Sequence, residues 1–82
     1  MIKNTLTIMD ISNEPLNTTQ IINKGKVLLP NESWHRTKIN AELRRLGTDK
    51  FVSRVFDHKK KRTYFEITET GRKYLNGYLL NL

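Results

Sequence analysis

The sequence contains no cysteine, so neither a disulfide framework nor a thiolate metal site can form. It has only four glycines and two prolines, so each one can be read as a candidate element boundary. No stretch approaches the roughly 18 apolar residues that a membrane span needs. No cationic segment followed by an apolar run opens the chain, and no signal peptide is expected. A cytoplasmic location is the expectation. Histidine is limited to His35 and His58, and neither has a second ligand at metal-binding spacing. There is no Ser–His–Asp set and no glycine-rich phosphate loop, and no carboxylate pair stands out. Neither an enzyme nor a cofactor, metal or small-molecule ligand is expected.

Acids are scarce where cations are dense. The first 32 residues balance Lys3, Lys24 and Lys26 against Asp10, Glu14 and Glu32. The remaining residues hold six lysines and six arginines against Glu42, Asp49, Asp57, Glu66 and Glu69, so they carry the whole net charge of +7. Such asymmetry suggests a polyanion partner, although a merely solvated basic surface has the same composition.

Eighty-two residues make one domain. Ile2, Leu6, Met9 and Ile8 predict a helix over about 3–12, although Thr5-Leu6-Thr7-Ile8 also alternates as a strand would. Ser12-Asn13-Glu14-Pro15 ends it. A second helix is predicted over about 17–25. Asn17 and Gln20 are spaced as a capping box, Leu16 and Ile21 as a hydrophobic staple, and Gly25 is the expected stop. Lys26 to Pro30 reads as an apolar connector able to carry a short strand.

A third helix over about 32–46 has Asn31 or Ser33 as its cap and Ile39, Leu43 and Leu46 as its core stripe. His35 falls on the buried edge. Gly47 is expected to close the helix in a left-handed conformation. Strands over about 50–56 and 63–67 flank a loose basic loop, Asp57 to Arg62. Alternation puts Val52, Arg54 and Phe56 on one face, and Phe65 and Ile67 are core choices. Thr68 caps a last helix over about 68–80, with Tyr74, Leu75, Tyr78, Leu79 and Leu82 as its apolar stripe.

The run Leu43-x-x-Leu46-Gly47, then Val52-x-Arg54, then Arg62-x-Tyr64-Phe65-x-Ile67-Thr68-Glu69-x-Gly71-Arg72-x-x-Leu75 resembles the second half of winged helix-turn-helix domains. It is most similar to the small bacterial and archaeal regulators of the MarR and PadR type. The resemblance covers about residues 5–79 and is specific from Leu43 to Leu75. It is a pattern of hydrophobic and capping positions, so it speaks to fold more than to function. It implies an α+β, mainly helical winged helix in a single domain, residues 1–82, with three helices, a two-stranded wing hairpin and a C-terminal helix. Ser33–Leu46 would then be the recognition helix in the major groove, and the hairpin 50–67 the wing, its tip on phosphate backbone or minor groove. The segment Gly25 to Glu32 is longer and more apolar than the usual turn. The long flanking helices by which MarR-type proteins dimerise and bind ligands have no counterpart, so ligand sensing is not expected.

The candidate DNA contacts on the recognition helix are Thr37, Lys38, Ala41, Arg44 and Arg45, with Arg36 and Asn40 at its edges and Ser33 and Trp34 at its start. Trp34 suits either a sugar–phosphate contact or a place in the core over Val27–Leu29. The wing candidates are His58, Lys59, Lys60, Lys61 and Arg62 at the tip, with Arg54 on the first strand. Phosphate contacts of this kind give affinity with little sequence preference. Leu75, Tyr78, Leu79 and Leu82 fit either a homodimer seam or the protein's own core. The expected function is sequence-specific binding of double-stranded DNA, as a small transcriptional regulator. The alternatives are a protein-interaction module that binds or inhibits a larger protein such as a polymerase, and an RNA-binding module.

Overall fold

A computed structural model describes the backbone of residues 2–80 and the side chains of residues 4–77. The chain forms a small α+β domain, mainly helical. The elements are α1 (Ile2–Ser12), α2 (Thr18–Leu28), α3 (Arg36–Thr48), the antiparallel hairpin β1 (Val52–Asp57) and β2 (Arg62–Ile67), and α4 (Glu69–Leu80). No helix among the described residues is long and apolar enough to cross a membrane.

Helical spacing wins over alternation in α1. Thr5, Leu6, Ile8 and Met9 are all buried, because α2, α3, α4 and β2 cover the helix from several sides. Asn13 ends α1 at φ 51, a left-handed conformation that asparagine tolerates. The next turn of chain is pinned to the hairpin. Leu16 and Phe65 exchange both backbone hydrogen bonds at 2.8 Å, a one-residue bridge on the free side of β2.

α2 starts as expected. Asn17 Oδ1 accepts from the Gln20 amide at 2.8 Å, and Gln20 Oε1 accepts from the Asn17 amide at 2.9 Å. Leu16 and Ile21, the staple pair, are both buried. The expected stop at Gly25 is wrong. α2 continues through Leu28, so Val27 and Leu28 lie on its last turn, exposed, and not in a connector or strand. Gly25 has a packing role instead. A Cβ there would run into the Trp34 indole, which lies across it. Trp34 is only 7% exposed, and its Nε1–H donates to the Leu29 carbonyl at 2.9 Å.

That anchored indole also moves the start of α3. The helix begins at Arg36, with His35 in the N-cap position and making no side-chain cap. Asn31 and Ser33 therefore do not cap it, and Ser33 and Trp34 precede it. His35 is exposed, not on a buried edge. The core stripe Ile39, Leu43 and Leu46 is buried as expected. α3 runs past Gly47 to Thr48, and the left-handed residue is Lys50, at φ 64.

β1 and β2 pair from Val52↔Ile67 to Asp57↔Arg62, so the basic loop is a four-residue turn and not six loose residues. Val52, Phe65 and Ile67 share the core-facing side. Thr68 caps α4, its hydroxyl accepting from the Gly71 amide at 3.0 Å. Gly71 lets α4 lie against the backbone carbonyl of Phe51, where a Cβ would collide. Tyr74 is partly exposed and stacks on Phe51, with ring centroids 4.4 Å apart.

Two glycines should therefore answer substitution with opposite signs. Gly25→Ala should lower unfolding stability by about 1–3 kcal/mol, the usual range for overpacking. Gly47→Ala, with nothing within 4 Å of the added Cβ, should raise it by up to about 1 kcal/mol. Urea titration followed by the fluorescence of Trp34 reads both. A Gly25→Ala protein as stable as the parent would remove the Trp34–Gly25 contact as the reason for the long α2.

Candidate nucleic-acid interface

α3 turns Ile39, Leu43 and Leu46 inward, so its other side faces out. Thr37, Ala41, Arg44 and Thr48 form the outward stripe, all exposed. Arg36 and Asn40 flank it on the side of α2. Arg36 Nη2 donates to the Thr19 hydroxyl at 2.6 Å, and the Thr18 hydroxyl donates to Asn40 Oδ1 at 2.9 Å. Lys38 is half-buried near the start of the helix, its Nζ 3.4 Å from the Ser33 carbonyl. Arg45 is exposed. The one acid on α3, Glu42, is turned away from the stripe, and its Oε2 accepts from the buried Thr5 hydroxyl at 2.6 Å.

The hairpin repeats this arrangement. Asp57 sits beside the lysines, but its Oδ1 accepts from the backbone amides of Lys59 (2.9 Å) and Lys60 (3.1 Å). The acid shapes the turn, and a left-handed Lys61 at φ 53 completes it. Lys59, Lys60, Lys61 and Arg62 are exposed. Arg54 is exposed too, its guanidinium carbon 5.9 Å from the centre of the Phe65 ring. The ion pairs found among the described residues, Arg72–Asp10 and Lys73–Glu69, use cations of α4.

Two open grooves separate α3 from the hairpin and the start of α2. One, of about 450 Å³, runs between the C-terminal half of α3 and the sheet, with Arg44 on one wall and Arg54 on the other. The second, of about 560 Å³, lies at the N-terminus of α2 between Arg36 and Arg62. Each groove thus takes one arginine from α3 and one from the hairpin.

The expected site residues divide accordingly. Arg36, Thr37, Asn40, Ala41, Arg44 and Arg45 lie on the open sides of α3. Arg54 and the run His58 to Arg62 lie on the exposed hairpin. Ser33 and Trp34 do not belong to that surface as helix residues, because both precede α3 and Trp34 is core. Leu75 is 2% exposed and is core in its own chain, so it is not free to form a seam with a second copy. The side chains of Tyr78 and Leu79, and all of Leu82, lie outside the described residues. Three features were missed. Thr18 and Thr19 touch α3, and the signal available was two hydroxyls directly after a capping asparagine. Phe56 is exposed, which its position beyond Phe65 on the shared face would have indicated. The Leu16–Phe65 bridge has no local signal. No group of three or more histidines and acids that could hold a metal ion is found among the described residues.

A scan against protein-family models gives no match, and a search of curated proteins finds no relative.

The Asp57 carboxylate can be tested directly. Asp57→Ala should cost less than about 1.5 kcal/mol of global stability, the scale of a hydrogen bond. It should nevertheless speed amide exchange at Lys59 and Lys60 ahead of the rest of the hairpin. Unchanged protection at those two amides would mean that the turn holds without the carboxylate.

Proposed function

We propose that the protein is a winged helix-turn-helix domain that binds double-stranded DNA, as a small transcriptional regulator. α3 is its recognition helix in the major groove. The hairpin is its wing, with the tip on the phosphate backbone. One observation carries the reading: α3 and the hairpin each contribute an arginine to both grooves between them, while two of the nearby acids, Glu42 and Asp57, are engaged elsewhere. The order of elements and the short bridge of Leu16 to β2 support the fold assignment. The open outward stripe of α3 is accessible to DNA, because no acidic or apolar segment among the described residues covers it.

The roles follow from chemistry. Arg44, in the middle of the exposed stripe, suits a bidentate contact to guanine, and Ala41 beside it allows close approach. Arg36, Lys59, Lys60, Lys61 and Arg62 suit phosphates, which hold register without reading sequence.

Fluorescence anisotropy with a random-sequence duplex at several salt concentrations tests the reading. Tight binding at low salt should fall steeply as salt rises, because phosphate contacts release counterions. Absence of binding even at low salt would rule out the DNA reading. Replacing Lys59, Lys60 and Lys61 together by alanine should weaken binding to all sequences alike and reduce the log–log slope by about 2 to 3 units, at about 0.9 per phosphate. Arg44→Ala should instead narrow the difference between a selected site and random DNA by about 1–3 kcal/mol.

A further inference from the structure

Phe56 is a large aromatic residue outside the core cluster. It lies on the same face of the hairpin as Val52 and Arg54, opposite Thr63, but beyond the part of the sheet that the core covers. The residue is 49% exposed. Its ring neighbour is His58, with centroids 4.8 Å apart and planes at 77°. Arg54 shares the face of Phe56, and the exposed lysines Lys59, Lys60 and Lys61 belong to the same turn as His58. A half-open aromatic ring among cations suits a partner that offers both a flat π-face and negative charge. A nucleotide offers both: base–aromatic stacking tolerates any base, and nearby cations hold the backbone.

We infer that Phe56, braced by His58, is a stacking surface for a single unstacked nucleobase, so the protein favours duplexes that carry an unpaired base. The inference rests on the DNA-binding reading above and assigns the hairpin tip a second role besides phosphate contact. Phe56 is about half exposed, so part of its ring is open to a base. Continuous duplex offers the ring no free base face, whereas a bulge, mismatch or end does.

The test uses two labelled duplexes of the same sequence, one fully paired and one with a single bulged 2-aminopurine. Wild-type protein should bind the bulged duplex about 5- to 150-fold more tightly, the range that one stacked base supplies. It should also quench the 2-aminopurine fluorescence. Phe56→Ala should lose both the preference and the quenching while keeping the salt slope, since no cation is removed. Phe56→Leu keeps apolar bulk without a π-face and should behave like the alanine variant. Phe56→Trp should retain both effects. The unchanged fluorescence of buried Trp34 shows that each variant without an added tryptophan is folded. Equal wild-type affinity for the two duplexes overturns the inference and leaves the DNA reading standing. So does a Phe56→Ala protein that still quenches. Wild-type protein that binds neither duplex at low salt overturns both.

Discussion

The indole of Trp34, lying where Gly25 has no side chain, fixes the relation between α2 and α3. Its ring supplies the apolar area and its N–H closes the one polar group that burial would leave unmet, on the carbonyl of Leu29. The contact holds residues 29–35 out of helix, so α3 begins only at Arg36. That starting point puts Arg36 beside Thr19 and Asn40 beside Thr18. Which α3 side chains look outward is set by the buried stripe Ile39, Leu43 and Leu46, and where the helix begins is set by this contact before it. A small core can hold such an arrangement because large aromatics contribute a disproportionate share of its buried area.

Charge is arranged with comparable economy. Exposed ion pairs contribute about 0–1 kcal/mol, so the lack, among the described residues, of carboxylate partners for the cations of α3 and the hairpin costs little stability. Besides Glu66, exposed on β2, the acids of those two elements that could have neutralised them are Glu42 and Asp57. Instead one bonds Thr5 in the interior of the helix cluster and the other bonds amides inside the turn. Both acids serve local structure, and the outer surface keeps its positive potential.

Most elements were legible because their signals are local. The capping box at Asn17 and Gln20, the core stripe Ile39–Leu43–Leu46 and the Thr68 cap depend on residues within a turn or two of each other. The misread boundaries share a cause. Gly25 and Gly47 both read as stops under the general preference of glycine for helix ends, yet neither adopts positive φ. Gly25 is kept inside α2 by a partner nine residues on, and Lys50 takes the left-handed position in place of Gly47. Trp34 was open between core and contact because helical spacing alone does not say where a helix begins. The cations of the candidate site were legible as residue types. Their convergence in pairs on two grooves was not, since it depends on how α3 and the hairpin pack.

The Leu16–Phe65 bridge makes the hairpin a cantilever. Two backbone hydrogen bonds clamp it at Phe65, and from there to Arg62 the strand overhangs by about 10 Å at the usual rise per residue. The displacement of such a beam is least at the root and greatest at the free end. The basic turn is thus the part that yields most to a surface of varying shape, while the clamp keeps Arg54 in place across the groove from Arg44. Compliance at the tip and stiffness at the groove are thereby separated along a single pair of strands.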